Sequence, residues 1–276
     1  QLLSPYLGVA QTLGWGGFSI VPAAGLRYYD HNEFGAEWAP YAGLKVGKGG
    51  YFVQAGYARG VNYPGLDVVV FSSNIIPPLG QSWRNLAAET SDHYQIGVGY
   101  AVRRLAADLV YFTDRISNRY VFVPPPPPPP TYTNRGSQDT DGVEATLRYE
   151  FSPAASVFLG ATWLNGTPAD LPYLPDASYV AGLSGGWGPL RYSLDAEYRS
   201  SMYVLSRGRA STAANTEQVG ASFLLNGRLF YTLPPDFGRS SEVFVALDNL
   251  TNAEYEYRPG YPMPGTSVLV GVNLRF

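Results

Sequence analysis

Residues 241–276, SEVFVALDNLTNAEYEYRPGYPMPGTSVLVGVNLRF, hold the pattern from which the fold is read. Counting back by twos from the end puts Phe276, Leu274, Val272, Val270 and Val268 on one side of an extended chain. Arg275, Asn273, Gly271 and Ser267 fall on the other. Only a period of two sorts residues this way, so the stretch reads as a β-strand. Just upstream, Val243, Val245 and Leu247 alternate with Glu242, Phe244, Ala246 and Asp248, and the two runs read as antiparallel neighbours. A soluble sandwich would show the same alternation, so composition and the number of such runs must select the solvent of the apolar side.

The chain of 276 residues is 15% charged and 14% aromatic, with 22 Tyr. That is too few charges for an ordinary aqueous surface, and tyrosine suits a membrane interface, where the ring sits in lipid and the hydroxyl reaches water. No run approaches the roughly 18 apolar residues of a membrane helix, so any crossing falls to strands. Cysteine is absent, which excludes disulfides and thiolate metal sites. The net charge of −3, without a basic cluster, speaks against nucleic acid as a partner. Residues 1–11 lack the features of a signal peptide.

Alternating runs recur at 3–12, 18–28, 39–46, 51–60, 93–102, 105–114, 143–151, 155–164, 177–187, 190–199 and 218–233. Pro22 weakens the second as a paired strand. DHNEFGAEW at 30–38 reads as a loop, and 61–90 as a long one. Asn226-Gly227 is a common hairpin signal, yet alternation passes through it and it reads as strand. Pro124 to Pro130 reads as a polyproline II spacer. Connections after 46, 102, 151, 187 and 233 are short, and those after 60, 116, 164, 203 and 251 are long. Outer-membrane barrels have this form, with short periplasmic turns and long outer loops. The expectation is an all-β, antiparallel transmembrane β-barrel of strands about ten residues long, apolar side to lipid.

The opposite side carries Arg27, Lys45, His93, Asp108, Glu144, Arg148, Arg191, Glu197, Arg199, Arg228 and Arg275 among small residues. Mixed charge with Gly and Ser describes a polar lumen, and most of these side chains are expected to be cross-strand partners. His31 and His93 are too few and too far apart to argue a metal site. Ser91-Asp92-His93 has the residue types of a triad, but successive strand residues point to opposite faces and cannot meet, so catalysis is not expected. No cofactor is called for.

LDNLTNAEYEYRPGYPMPG and the terminal strand resemble the C-terminal signature of TonB-dependent outer-membrane receptors. YARGVNYPG at 57–65, ETSDHYQIGVGY at 89–100 and AGLRYYDHNEFG at 24–35 are similar to other parts of that family's barrel. The resemblance implies a bacterial outer-membrane receptor importing a scarce nutrient complex, such as a ferric siderophore or cobalamin. It implies energy from TonB delivered through a plug domain that residues 1–276 do not contain. Haem is disfavoured, because 61–90 holds no histidine. Loop residues Tyr63, Trp83, Arg84, Tyr120, Tyr132, Tyr203, Tyr257 and Arg258 are the candidates for cargo contact. About thirteen runs are present, an odd number, whereas a closed single-chain bacterial barrel needs an even one. The reading is therefore the C-terminal part of a barrel of about 22 strands. The alternative is that residues 1–16 are no strand and that about 17 to 276 close as a twelve-stranded, self-contained pore or binding barrel, the terminal strand pairing with the strand nearest the N-terminus.

Overall fold

The computed structural model describes residues 1–70, 79–123, 130–134, 136–204, 216–238 and 241–275. Phe276 and Pro124 to Pro129 lie outside the described residues. An interrupted first strand, β1 (Leu2–Leu3), β2 (Tyr6–Ala10) and β3 (Leu13–Trp15), leads into β4 (Phe18–His31), β5 (Gly35–Lys48) and β6 (Tyr51–Asn62). A loop with the short helix α1 (Leu66–Val70) and a 3-10 turn at Ser82–Asn85 precedes β7 (Glu89–Val102) and β8 (Leu105–Ser117). A small hairpin, β9 (Tyr120–Val123) and β10 (Thr131–Asn134), is followed by β11 (Gln138–Ser152), β12 (Ala155–Thr167), β13 (Ala177–Trp187) and β14 (Leu190–Arg199). The short pair β15 (Met202–Tyr203) and β16 (Gln218–Val219) then precedes β17 (Ser222–Thr232), β18 (Glu242–Asp248) and β19 (Ser267–Asn273).

The long strands form one antiparallel sheet in which each pairs with its neighbours along the chain. β19 pairs with β18, and the β1 to β3 strand pairs with β4. Among the described residues no ladder joins these two edges, so the sheet is an open barrel sector and the closed small barrel is not formed.

Several boundaries differ from the sequence reading. Residues 30–38 are mostly strand, because β4 and β5 continue to a turn at Asn32–Phe34 and Tyr28 packs on Trp38 at 4.5 Å. Pro22 is paired within β4, and its missing N–H appears on the other side. The Gln11 N–H donates to the Pro22 carbonyl, Pro22 returns nothing, and the neighbouring strand breaks there between β2 and β3. The run 218–233 is two elements, since β16 leaves the sheet to pair with β15 before β17 begins. Asn226 and Gly227 lie inside β17, as the unbroken alternation requires. The link after 233 is longer than a tight turn and contains a 3-10 turn at Pro235–Phe237.

One end of the sheet, the turn end, is closed by Gly16-Gly17, Gly49-Gly50, Arg103-Arg104, Pro153-Ala154 and Gly188-Pro189. Gly49 and Gly50 have φ of 60° and 92°, which a two-residue hairpin turn demands. At the other end, the loop end, lie the long connections.

Register carries the side-chain sorting across the whole sheet. Ile96 opposes Ala55 and Tyr111, Leu147 opposes Ala107 and Leu159, and Leu194 opposes Leu183 and Gly227, all on one face. Arg148, Arg191, Glu197, Arg199 and Arg228 share the other. No second layer covers the apolar face: Ile96, Val98 and Val270 stay at least half exposed. A water-soluble protein does not leave so broad an apolar surface uncovered. On β6 and β7, ring pairs Tyr51–Tyr100 (4.5 Å) and Tyr57–Tyr94 (4.8 Å) bracket the apolar stretch. At about 3.4 Å per residue they stand roughly 20 Å apart along the strand.

The polar face is made shallow by glycine. A Cβ on Gly142 would sit 2.3 Å from the Phe112 ring, and one on Gly99 would sit 2.2 Å from Phe52. These rings lie flat on the neighbouring strand instead of projecting from the sheet.

Candidate functional site

The side chains at the loop end form two assemblies. The first gathers the link between β4 and β5, the loop around α1, and the β9–β10 hairpin. Val68, Trp83 and Leu86 are buried together, with Phe34, Val69, Tyr120 and Tyr132 packed on them. Trp83 lies edge-on to Phe34 at 6.0 Å, and Arg84 covers its indole at 4.9 Å while reaching Glu33 at 3.7 Å. The Tyr132 N–H donates to Ser82 Oγ (3.2 Å), tying the hairpin to the 3-10 turn. Tyr63 donates its hydroxyl to the Gly35 carbonyl (3.0 Å) and stacks with Phe34 and His31. Burial first, and then the carboxylates of Glu37 and Asp30, hold the Tyr63 phenol above its ordinary pKa, so it stays a donor.

The second assembly is the loop after β18. Asn249 is 4% exposed and adopts a φ of 51°, a left-handed conformation that asparagine tolerates. Its N–H donates to Asn226 Oδ1 (2.9 Å), and its Nδ2 donates to the carbonyls of Ala253 (3.0 Å) and Pro264 (3.2 Å). Its Oδ1 accepts from the Ala253 N–H (2.9 Å) and Thr251 Oγ1 (3.2 Å). One side chain thus closes the loop upon itself and onto β17. Asn226, the residue of the misleading hairpin signal, is its anchor. Over this loop Arg199 is buried, donates to the Glu256 carbonyl (3.2 Å) and lies on the Tyr257 ring (4.6 Å). Burial, followed by Glu197, raises the Tyr257 pKa.

Of the sequence-derived candidates, Tyr63, Trp83, Arg84, Tyr120 and Tyr132 come together in the first assembly. Tyr257 and Arg258 belong to the second, and Tyr203 pairs separately, its carbonyl accepting from the Tyr173 N–H (2.7 Å). Trp83 is 8% exposed and packs the loop rather than presenting a surface. Sequence reasoning weighed His31 only as a metal ligand, and it gave no role to Phe34, whose stretch read as a loop, or to Asn249, which stood inside a recognised motif. It also overlooked Arg59, which donates to both carboxylate oxygens of Asp92 (2.8 and 2.7 Å) on the apolar face near the loop end, where Tyr57 donates to the same group (2.6 Å). Among the described residues no cluster of three His, Cys, Asp or Glu could hold a metal ion.

Residues 14–250 match the family described as TonB dependent receptor-like, beta-barrel. This chain belongs to the TonB-dependent receptor β-barrel family. Solved structures agree in fold. The FrpB iron transporter from Neisseria meningitidis is 15% identical with a TM-score of 0.73, the match covering 99% of this chain and 45% of that one. The siderophore receptor PirA from Pseudomonas aeruginosa is 21% identical with a TM-score of 0.69, covering 98% and 46%. The ferric citrate transporter FecA is 16% identical with a TM-score of 0.70, covering 100% and 45%. This receptor barrel chain therefore spans less than half the length of these structures. Among curated proteins no sequence match was found. On the charged face polar side chains meet in pairs: His93 with Asp114 (2.8 Å), the Thr146 hydroxyl donating to Asp108 (2.8 Å), and Arg191 with Glu242 are examples.

Proposed function

We propose that residues 1–276 are one barrel domain of a bacterial outer-membrane receptor that takes up a metal complex, a ferric siderophore in the first instance, by a TonB-dependent route. The apolar face meets lipid, and the charged face, with Arg148, Arg191, Glu197, Arg199 and Arg228, lines the lumen. The turn end is periplasmic and the loop end external. The observation that carries this reading is the register: along the middle of the long strands the apolar residues stay on one face and Arg148, Arg191, Glu197, Arg199 and Arg228 on the other, while ionisable residues of the apolar face, such as Arg59 and Asp92, stand only near its ends. The named cargoes of the structural neighbours, iron and siderophores, favour an iron complex over cobalamin. Cargo contact falls to Tyr63, Arg84, Tyr120, Tyr132, Tyr203, Tyr257 and Arg258, with Arg84 and Arg258 supplying charge for an anionic chelate, while buried Trp83 holds the loop that carries Arg84.

The small self-contained pore lacks support, since it needs β19 to pair with the first strand. TonB engages this barrel through a plug domain outside residues 1–276. The test is uptake of radio-iron from a panel of ferric siderophores by cells with and without the gene, each with TonB present or depleted. Gene-dependent, TonB-dependent accumulation of one chelate supports the proposal. Accumulation unaffected by TonB depletion, or no gene dependence with any chelate, refutes it.

A further inference from the structure

The apolar face is not uniform. Near the turn end of β5 to β8 it is hollowed into a groove of about 640 Å³, lined by Val46, Tyr51, Val53, Val98, Tyr100 and Leu109. The Tyr51–Tyr100 ring pair borders the groove toward the turns. Lys48 lines the groove, and two further basic residues stand on the turn next to it. Lys48 is exposed, at the end of β5, with its Nζ 4.4 Å from the centre of the Phe18 ring. Arg103 and Arg104, also exposed, form the turn between β7 and β8. That turn adjoins Gly49-Gly50, because the Ala101 N–H donates to the Gly50 carbonyl (2.8 Å). Arg104 donates to the Phe151 carbonyl (3.3 Å), and among the described residues none of the three has a salt-bridge partner. The contrast with the loop end of the same strands is sharp. There the apolar face carries both signs: Arg59 pairs with Asp92, and Arg115 stands in register between Asp92 and Asp139.

We propose that this groove binds a phospholipid with a net-anionic headgroup from the inner leaflet of the outer membrane. An acyl chain lies along Val53, Val98 and Leu109, and the phosphate is held at Lys48, Arg103 and Arg104. A lipid supplies both halves of the observed surface: apolar length for the groove and negative charge at its basic rim. The inference rests on the outer-membrane orientation proposed above.

The test uses the protein purified from outer membranes in mild detergent, with retained lipid identified by native mass spectrometry. Wild type is expected to keep phosphatidylglycerol in preference to phosphatidylethanolamine. The combined variant Lys48→Gln, Arg103→Gln, Arg104→Gln is expected to lose that preference by about tenfold or more, as removal of three basic groups near an anionic surface implies. Val98→Trp, which fills the groove and leaves the charges, is expected to lower retention of both lipids. Equal retention of the two lipids by wild type, or an unchanged preference in the combined variant, overturns the proposal. Should the combined variant fail to fold, wild type in rising salt decides: preference must fall with ionic strength, and a salt-independent preference counts against the basic rim. Absence of the protein from the outer-membrane fraction would instead sink the orientation itself, and this proposal with it.

Discussion

Around Trp83, segments far apart in the chain are joined by apolar packing, whereas the loop after β18 is closed by the hydrogen bonds of a single buried asparagine. The packed assembly is held by the volume that its side chains fill. In the bonded one each polar group has a fixed partner, so geometry rather than volume holds it.

Trp83→Ala should have the largest effect, about 3 kcal/mol of local stability, because it removes the centre of the packed cluster. Hydrogen exchange should then rise in α1, the 3-10 turn and β9–β10 together, with the loop after β18 unchanged. Exchange rising equally in both assemblies would erase the distinction between them. Asn249→Ala should cost about 2 kcal/mol, since it leaves buried carbonyls of Ala253 and Pro264 without donors. Asn249→Asp should recover none of it, since the carboxylate oxygen that replaces Nδ2 faces the Ala253 and Pro264 carbonyls and repels them. Gly142→Val should lower thermal stability by about 1 to 3 kcal/mol, because the Phe112 ring must leave its seat on the neighbouring strand. Full stability of that variant would show that the polar face is less tightly built. Tyr63→Phe should be the mildest, about 1 kcal/mol, by losing the bond to the Gly35 carbonyl while keeping the stacked rings.

The sheet was legible wherever one side of a strand is apolar and the other is not. The runs at 143–151 and 190–199 sit within β11 and β14 for that reason. Legibility failed where the environment stops sorting side chains. In 30–38 the polar residues Asp30 and Glu37 extend the strands beyond the apolar stretch, and alternation fades although pairing continues. The two loop assemblies were legible only as composition. Phe34, Trp83 and Tyr132 meet across long separations in sequence, and no local period encodes that meeting. The hub role of Asn249 was hidden similarly, since a left-handed asparagine looks like any other turn residue until its partners are in place.

The absence of cysteine makes the central assignment directly measurable. Leu194→Cys and Asp195→Cys are adjacent in β14, on the apolar and the charged face respectively. Each would be spin-labelled in the protein reconstituted in liposomes and read for collision with oxygen and with a water-soluble nickel chelate. The label at 194 should be relaxed by oxygen and shielded from the chelate, and the label at 195 should show the reverse. Chelate access at 194 together with oxygen access at 195 would mean that the charged face meets lipid, and the receptor reading built on the register would fall.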